Sequence, residues 1–151
     1  CVRYDIKGRK YIDTPQKYYF EDLGLRNARI GFRQVEETHL MENLIYNELR
    51  IRGYLVDVGV VPTRVKDADG AYRRSQLEVD FVCNRGSERV YVQSAYRLPT
   101  EEKRKQEMAS LLKIDDSFRK IIITEDLIKR HMDENGVEWV NVYDFLKSEE
   151  L

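Results

Sequence analysis

The sequence lacks the features that define several common classes of protein. Its 151 residues include two cysteines, Cys1 and Cys83, which form neither a disulfide framework nor a Cys-x-x-Cys metal pair. No apolar run approaches the roughly 20 residues needed to cross a bilayer, and no signal-peptide pattern is present. These absences exclude a disulfide-stapled secreted domain. They predict a cytoplasmic protein with no membrane partner.

An excess of charge of one sign is also lacking. The chain has 26 Lys and Arg against 27 Asp and Glu, a formal net charge of −1. This balance argues against strong non-specific nucleic-acid binding by the whole chain but allows a local basic patch. No GxxxxGK[ST] motif occurs, so no ATP site of that type lies in these residues. The chain begins with Cys1 and not with Met, and its first residues already enter a structured segment. We therefore expect it to be a piece of a longer protein.

The most informative pattern in the sequence lies in residues 76–98, QLEVDFVCNRGSERVYVQSAYRL. Two runs of alternating apolar residues flank Asn-Arg-Gly-Ser, which is typical of a β-hairpin. Alternation predicts that the apolar and acidic side chains of the first run lie on opposite faces, Leu77, Val79 and Phe81 against Glu78 and Asp80. It predicts the same separation in the second run, Val90 and Val92 against Tyr91, Gln93 and Ala95.

Pairing of the two runs brings Asp80 directly or diagonally opposite Gln93. An acid on one strand that faces a polar residue on the next is how metal-dependent nucleases hold their ion. Here the second strand carries an amide, Gln93, where a carboxylate is expected. The hairpin therefore predicts a weakened metal site.

Residues 36–52 have the strongest helical pattern, with an apolar stripe at Met41, Leu44, Ile45 and Leu49. Glu48 falls inside this stripe and Glu42 on its edge. A carboxylate among core residues is unfavourable unless it meets a cation, a metal or hydrogen-bond donors. Glu48 can instead pair with Arg52 four residues later, and for a single glutamate the two interpretations are equal. The acid on the hairpin favours a metal.

The first 20 residues are rich in tyrosine and lysine. Residues 4–12 predict a small hairpin, and residues 17–20 predict a second short strand. Tyrosines interleaved with Lys7, Arg9, Lys10 and Lys17 suit stacking on bases and contact with phosphates. The alternative is an ordinary hairpin with solvated lysines, which we favour because runs of charge are usually solvent faces.

The rest of the pattern predicts a mixed sheet flanked by helices. Strands are predicted at 54–61, at 119–124, where the run is apolar enough for burial on both sides, and at an edge, 137–142. Residues 62–70 read as a polar connection in which the spacing after Asp67 and Asp69 excludes a calcium loop. Helices are predicted after Thr100, which can cap the first turn, and at 143–147. The fold class is α/β (α+β), with core order α-β-β-β-α-β after an N-terminal hairpin.

This order, with an acid on the first helix and one on the second core strand, resembles the restriction-endonuclease-like fold. The stretches KYYFEDLGLRNARIGFRQVEETHLMENLIYNELRIRGYLVDVGVV, LEVDFV and YVQSAYRLPTEEKRKQE are similar to one family in particular. This is the C-terminal domain of unknown function that follows the ATPase module and a winged helix in bacterial and archaeal AAA+-type P-loop ATPases. The resemblance spans residues 4–124. It implies that 1–33 is the tail of a winged helix and a linker, that 34–151 is the nuclease-like domain, and that an ATPase module lies upstream.

The resemblance also implies a site. Asp80 and the following strand's Gln93-Ser94-Ala95 would occupy the positions of Asp and Glu-x-Lys, with Glu42 or Glu48 as the helical acid. In active nucleases the carboxylates hold Mg²⁺ and the lysine orients the attacking water. A weak Mg²⁺ site at Asp80, Gln93 and Glu42 is therefore expected.

Because Ala95 replaces the lysine, the site is expected to be degenerate unless Arg97 or Lys103 substitutes for it. The expected function is a nucleic-acid-binding, regulatory or assembly module with DNA or a second copy as partner. The alternatives are an active Mg²⁺-dependent DNA endonuclease and a purely structural protein-interaction domain.

Overall fold

A computed structural model describes residues 1–13, 15–33, 36–66, 70–149 and 151. The helices are α1 (Leu23–Arg29), α2 (Glu37–Ile51), α3 (Glu101–Met108) and α4 (Val142–Lys147), with a 3₁₀ helix at Leu111–Lys113. The strands are β1 (Arg3–Asp5), β2 (Lys10–Ile12), β3 (Leu55–Lys66), β4 (Tyr72–Arg85), β5 (Glu88–Ala95), β6 (Arg119–Thr124), β7 (His131–Met132) and β8 (Val137–Asn141). Asp67 and Asp69 lie outside the described residues. No helix in the described part has both the length and the apolar character needed to cross a bilayer.

All of these strands form one mixed sheet in the order β2-β1-β3-β4-β5-β6-β8-β7. The β3-β4 and β4-β5 pairs are antiparallel, whereas β5, β6 and β8 run parallel. Strand β6 is buried on both faces, because Ile121 and Ile123 pack into the cluster formed with α2 and α4 while Ile122 packs into the cluster formed with α3. The predicted mixed α/β class is confirmed.

Helix α2 buries the predicted stripe through Met41, Ile45 and Leu49. It also buries Asn43, whose amide accepts from Phe20 N at 2.8 Å and donates to Phe20 O at 2.7 Å. These bonds satisfy the Phe20 backbone without a neighbouring strand. The strand predicted at 17–20 is therefore wrong, and this segment is an irregular chain held against α2.

The alternation predicted for the first run of the hairpin is broken by a β-bulge. Between the pairs Asp57–Val82 and Gly59–Val79, three steps of β4 match two steps of β3. As a result Val79 packs on the α3 side of the sheet and Phe81 on the α2 side, although they were predicted to share a face. The sequence does not reveal this extra residue, because a bulge leaves the apolar pattern almost unchanged.

Strands β3 and β4 extend beyond the rest of the sheet as a two-stranded ribbon. The connection predicted at 62–70 is wrong in this respect, since residues 62–66 pair with residues 72–76. The pairing tolerates Pro62, because this part of β3 has a strand neighbour on one side only and needs no second row of N–H donors. We call residues 62–66 and 72–76 the β3–β4 ribbon.

The two edges of the sheet also differ from expectation. Strand β8 was predicted as an edge, but it lies between β6 and the two-residue strand β7. At the other end, the predicted N-terminal hairpin forms as β1 and β2, and β1 pairs in parallel with Val58, Gly59 and Val60 of β3. The hairpin thus belongs to the same sheet as the core. A domain division between residues 33 and 34 stays a prediction.

Candidate functional site

The bulge in β4 directs Asp80 towards α2. Regular pairing of β4 with β5 ends at Phe81–Val92. Beyond that point the Asp80 carboxylate replaces a main-chain acceptor, and its Oδ2 accepts from Ser94 N at 2.9 Å. Bulges commonly re-aim a side chain in this way next to functional sites. Asp80 is buried, with 8% of its surface exposed, so its charge needs partners.

The main partner is Lys17, which comes from the irregular segment before α1. Its Nζ lies 2.5 Å from Glu78 Oε1, 3.1 Å from Glu42 Oε1 and 3.7 Å from Asp80 Oδ1. One ammonium therefore contacts three carboxylates that come from α2 and β4. We call these four residues the Lys17 cluster.

Two further side chains complete the surroundings of the cluster. The Tyr19 hydroxyl donates to Glu42 Oε1 at 2.6 Å, and Arg3 forms an ion pair with Glu78. Lys17 and Arg3 balance the charges of Glu42 and Glu78, so an ionised Asp80 is the one carboxylate in excess of the cations.

The electrostatics follow from burial and charge. Burial and then the nearby Glu42 carboxylate raise the pKa of Asp80 to about 7, against the opposing effects of Lys17 and the Ser94 N–H. Burial alone would lower the pKa of Lys17, but its contacts with the carboxylates outweigh burial and raise it. Burial opposes ionisation of Glu78 as well, yet Lys17 and Arg3 hold the pKa of Glu78 below its usual value. Lys17 is thus a permanent cation beside an acid that titrates near neutral pH.

Gln93 is a neighbour of Asp80, but it does not share its face. Its Oε1 accepts from the Asp80 backbone N–H at 3.4 Å, and its Nε2 donates to Glu107 Oε2 at 3.4 Å on α3. Lys103, proposed as a substitute for the missing lysine, pairs with the same Glu107 at 2.8 Å. Ala95 also packs on the α3 side. The bulge turns the Asp80 side chain to the other face, so its oxygens do not meet the Gln93 side-chain oxygen in this structure, and a metal site at these two residues stays a prediction.

The structure separates the remaining predicted residues from the cluster. Glu48 forms an ion pair with Arg52 at 2.9 Å, which is one of the two interpretations that the sequence left open. Glu42, in contrast, belongs to the Lys17 cluster. The Arg97 side chain is 61% exposed and pairs with Glu125 at 3.1 Å. Of the residues predicted as catalytic, Asp80 and Glu42 are brought together through Lys17.

Sequence reasoning missed Lys17, Tyr19 and Glu78 as members of the site. Lys17 and Tyr19 are two residues apart in an extended segment, and Glu78 and Asp80 are two apart in an apolar run. Alternation therefore indicated that each pair could share a face. Nothing local indicated that the two segments meet, since that contact depends on Asn43 of α2 holding the chain at Phe20.

The donor set around Asp80 can be compared with what Mg²⁺ requires. Mg²⁺ takes oxygen ligands in octahedral geometry, usually one or two carboxylates completed by waters and substrate phosphates. Asp80 and Glu42 offer carboxylates, but the Lys17 ammonium already contacts both, and the Gln93 carbonyl faces a backbone N–H. Within the described ranges no group of three or more His, Cys, Asp or Glu side chains is placed to hold a metal ion. In this arrangement the residues do not fit Mg²⁺.

The fold and the cluster together define a mixed α/β domain with a partly buried acidic site in which one lysine contacts three carboxylates. The chain is 33% identical over 144 residues to an uncharacterized protein of Haemophilus influenzae. The match covers 95% of this chain and 32% of the relative, so the chain spans about a third of the length of the curated protein it matches. No family model matches the chain, and no solved structure matches it significantly.

Proposed function

We propose that the chain is an accessory domain of a larger P-loop ATPase, with a restriction-endonuclease-like fold, and that it binds nucleic acid without cleaving it. The proposed absence of cleavage rests on the position of Lys17. Its ammonium contacts the two carboxylates, Glu42 and Asp80, on which a catalytic metal would depend.

Electrostatics support loss of cleavage. A divalent ion at Asp80 would have to coexist with, or displace, an ammonium that contacts three carboxylates. On β5 the position expected to carry the catalytic lysine is Ala95, which is buried in the core. Loss of one electrostatic stabiliser of a transition state typically lowers the rate on the order of 10²- to 10³-fold.

The role within a larger protein rests on two supports. The similarity of residues 4–124 to the C-terminal domains of AAA+-type ATPases implies the ATPase context. The relative from Haemophilus influenzae is matched over 32% of its length, so in that protein the corresponding segment is part of a longer polypeptide. A regulatory or assembly role for the domain is compatible with both supports.

The same lysine favours a second candidate function, an active Mg²⁺-dependent DNA endonuclease. A lysine ammonium does lie 3.7 Å from Asp80, although it comes from the segment before α1 and not from β5. Lys17 could therefore supply the charge that Ala95 cannot. This candidate requires Lys17 and its carboxylate partners to rearrange when a metal binds.

Cleavage assays separate the two functions. The 151-residue chain would be incubated with supercoiled plasmid, linear duplex and single-stranded DNA in Mg²⁺ and in Mn²⁺, beside the Asp80→Asn and Lys17→Met variants. We expect no cleavage above the level of Asp80→Asn, together with measurable DNA binding by the unaltered chain. Cleavage by the unaltered chain that both variants abolish would establish the endonuclease and refute our proposal.

A further inference from the structure

The β3–β4 ribbon places two arginines in direct opposition. Arg64 on β3 pairs across the ladder with Arg74 on β4, and both side chains are exposed. Like charges at directly opposed positions destabilise a sheet, so such a pair is unfavourable unless an anion lies between them. Within the part of the chain that the structure describes, neither arginine forms an ion pair with an acid.

Two more cations reach the same place from other parts of the chain. Lys7, from the β1–β2 turn, and Lys113, from the 3₁₀ helix, line one groove with Arg64 and Arg74. The groove has a volume of about 880 Å³, and its other lining residues are uncharged: Pro62, Thr63, Ser75 and Gln76. Four cationic residues from three separate parts of the fold thus line one groove, and no acid is among its described lining residues. We call this the ribbon groove.

The shape of the ribbon indicates which class of anionic ligand fits it best. A two-stranded antiparallel ribbon is narrow enough to enter or follow a groove of duplex DNA. Two positions along from the arginine pair, Lys66 lies opposite Tyr72, a residue that is 72% exposed. An exposed aromatic ring among cations can stack on a base while the cations contact the backbone. A repeating phosphate backbone matches this arrangement better than a single small anion does.

We propose that the ribbon groove binds the phosphate backbone of a nucleic acid through Arg64, Arg74, Lys7 and Lys113. The inference rests on the proposed nucleic-acid-binding function and assigns that function a surface. The surface is distinct from the Lys17 cluster, none of whose residues lines the groove.

The test measures how binding by the full 151-residue chain depends on salt. Binding of a labelled DNA duplex and of its single strand would be followed by fluorescence anisotropy over a salt series. If four phosphates are neutralised, the logarithm of the duplex binding constant should fall with the logarithm of salt with a slope of about −3.6. The Arg64→Gln/Arg74→Gln variant should reduce that slope by about 2 and weaken binding at low salt by roughly 10-fold or more.

Two further variants serve as controls. Arg64→Lys/Arg74→Lys preserves the charge and should keep the slope. Lys129→Gln/Lys147→Gln removes the same charge from exposed positions near the opposite edge of the sheet and should leave affinity within about 2-fold. Melting curves of all the variants would establish that each is folded.

Each contrary outcome has a distinct meaning. If the unaltered chain binds DNA and the Arg64→Gln/Arg74→Gln variant binds equally well, the ribbon groove is refuted and the proposed function stands. Equal weakening by the Lys129→Gln/Lys147→Gln variant would also refute the groove as a specific surface. If the unaltered chain binds poly-glutamate as tightly as DNA, the assignment to nucleic acid is refuted. A chain that binds no DNA refutes the proposed function and this inference together.

Discussion

Lys17 and the Arg64–Arg74 pair place positive charge beside the same strand, β4, in two opposite environments. The Lys17 side chain is partly buried and contacts three carboxylates, whereas Arg64 and Arg74 are exposed, lie opposite each other and have no acidic partner among the described residues. Both regions involve strand β4 and are only a few residues apart along it. The net charge of −1 is therefore an average over two very different environments.

The difference indicates which charges serve the fold and which are available to a ligand. Removing a partner from a buried ion pair leaves uncompensated charge and destabilises the protein. Removing one of two opposed like charges relieves repulsion. The same kind of substitution, loss of one cation, should thus change stability in opposite directions in the two regions.

The largest effect is expected for Lys17→Met. Three carboxylates would lose their shared cation, while the long apolar side chain would preserve much of the packing. We expect the free energy of unfolding to fall by about 3 kcal/mol, near the lower limit for a broken buried pair because the Lys17 side chain is 26% exposed. Urea denaturation at neutral pH would measure the change.

A matched control for this substitution is Lys105→Met on α3, at an exposed position. Its unfolding free energy should stay within about 0.5 kcal/mol of that of the unaltered chain. If Lys17→Met and Lys105→Met are equally stable, the cluster does not hold the N-terminal segment, and the contrast with the ribbon disappears.

A second, smaller effect is a pH dependence of the unfolding free energy that comes from Asp80. The folded protein retains the Asp80 proton up to about pH 7, whereas the unfolded chain releases it near pH 4. The folded state therefore binds more protons between these values, and its stability falls as the pH rises. Relative to the Asp80→Asn variant, the unaltered chain should lose on the order of 2 kcal/mol between about pH 5 and pH 6.5.

Glu78 supplies the control of opposite sign. Lys17 and Arg3 lower its pKa, so its charged form stabilises the fold above the unfolded pKa near 4.3, and that contribution is lost as the pH falls. Relative to Glu78→Gln, the unaltered chain should therefore become less stable on acidification. Parallel urea titrations of the three proteins would show the two opposite slopes. Identical slopes for Asp80→Asn and Glu78→Gln would refute the charge arrangement described for the cluster.

Much of the fold could be predicted because local patterns agree with tertiary packing. The stripe on α2 is buried at Met41, Ile45 and Leu49, and Thr100 caps α3 by accepting from Lys103 N at 3.2 Å. The apolar run of β6 lies between parallel neighbours, as its continuous burial requires. In each case a local feature of the sequence, either the spacing of its apolar residues or a helix cap, predicts the type of element.

The candidate site was predictable only in part, because its geometry depends on contacts distant in sequence. The proximity of Asp80 and Gln93 followed from the hairpin, but the bulge that separates their side chains leaves no clear trace in the pattern. Lys17 was assigned to a solvent face because charge runs usually are solvent faces. Its burial depends on Asn43, which holds the backbone at Phe20.

The ribbon was missed for a different reason. Pro62 and the polar residues after it read as a connection, whereas an edge pairing can include a proline. Opposition of Arg64 and Arg74 depends on the register of β3 against β4, which composition does not specify. Charges whose pairing depends on register were thus the least predictable part of the molecule.

The smallest expected effect has the opposite sign to that of Lys17→Met. Arg74→Gln removes one member of the Arg64–Arg74 pair, and relief of cross-strand repulsion should raise the free energy of unfolding by about 0.5 kcal/mol at low salt. The gain should shrink as salt rises, because exposed charges are screened. Urea denaturation at low and high salt would measure both effects. A loss of stability at low salt would mean that Arg74 has a structural partner, and the ribbon would then resemble the Lys17 cluster. A gain in stability together with weaker DNA binding would mean that the fold tolerates this repulsion for the sake of a ligand.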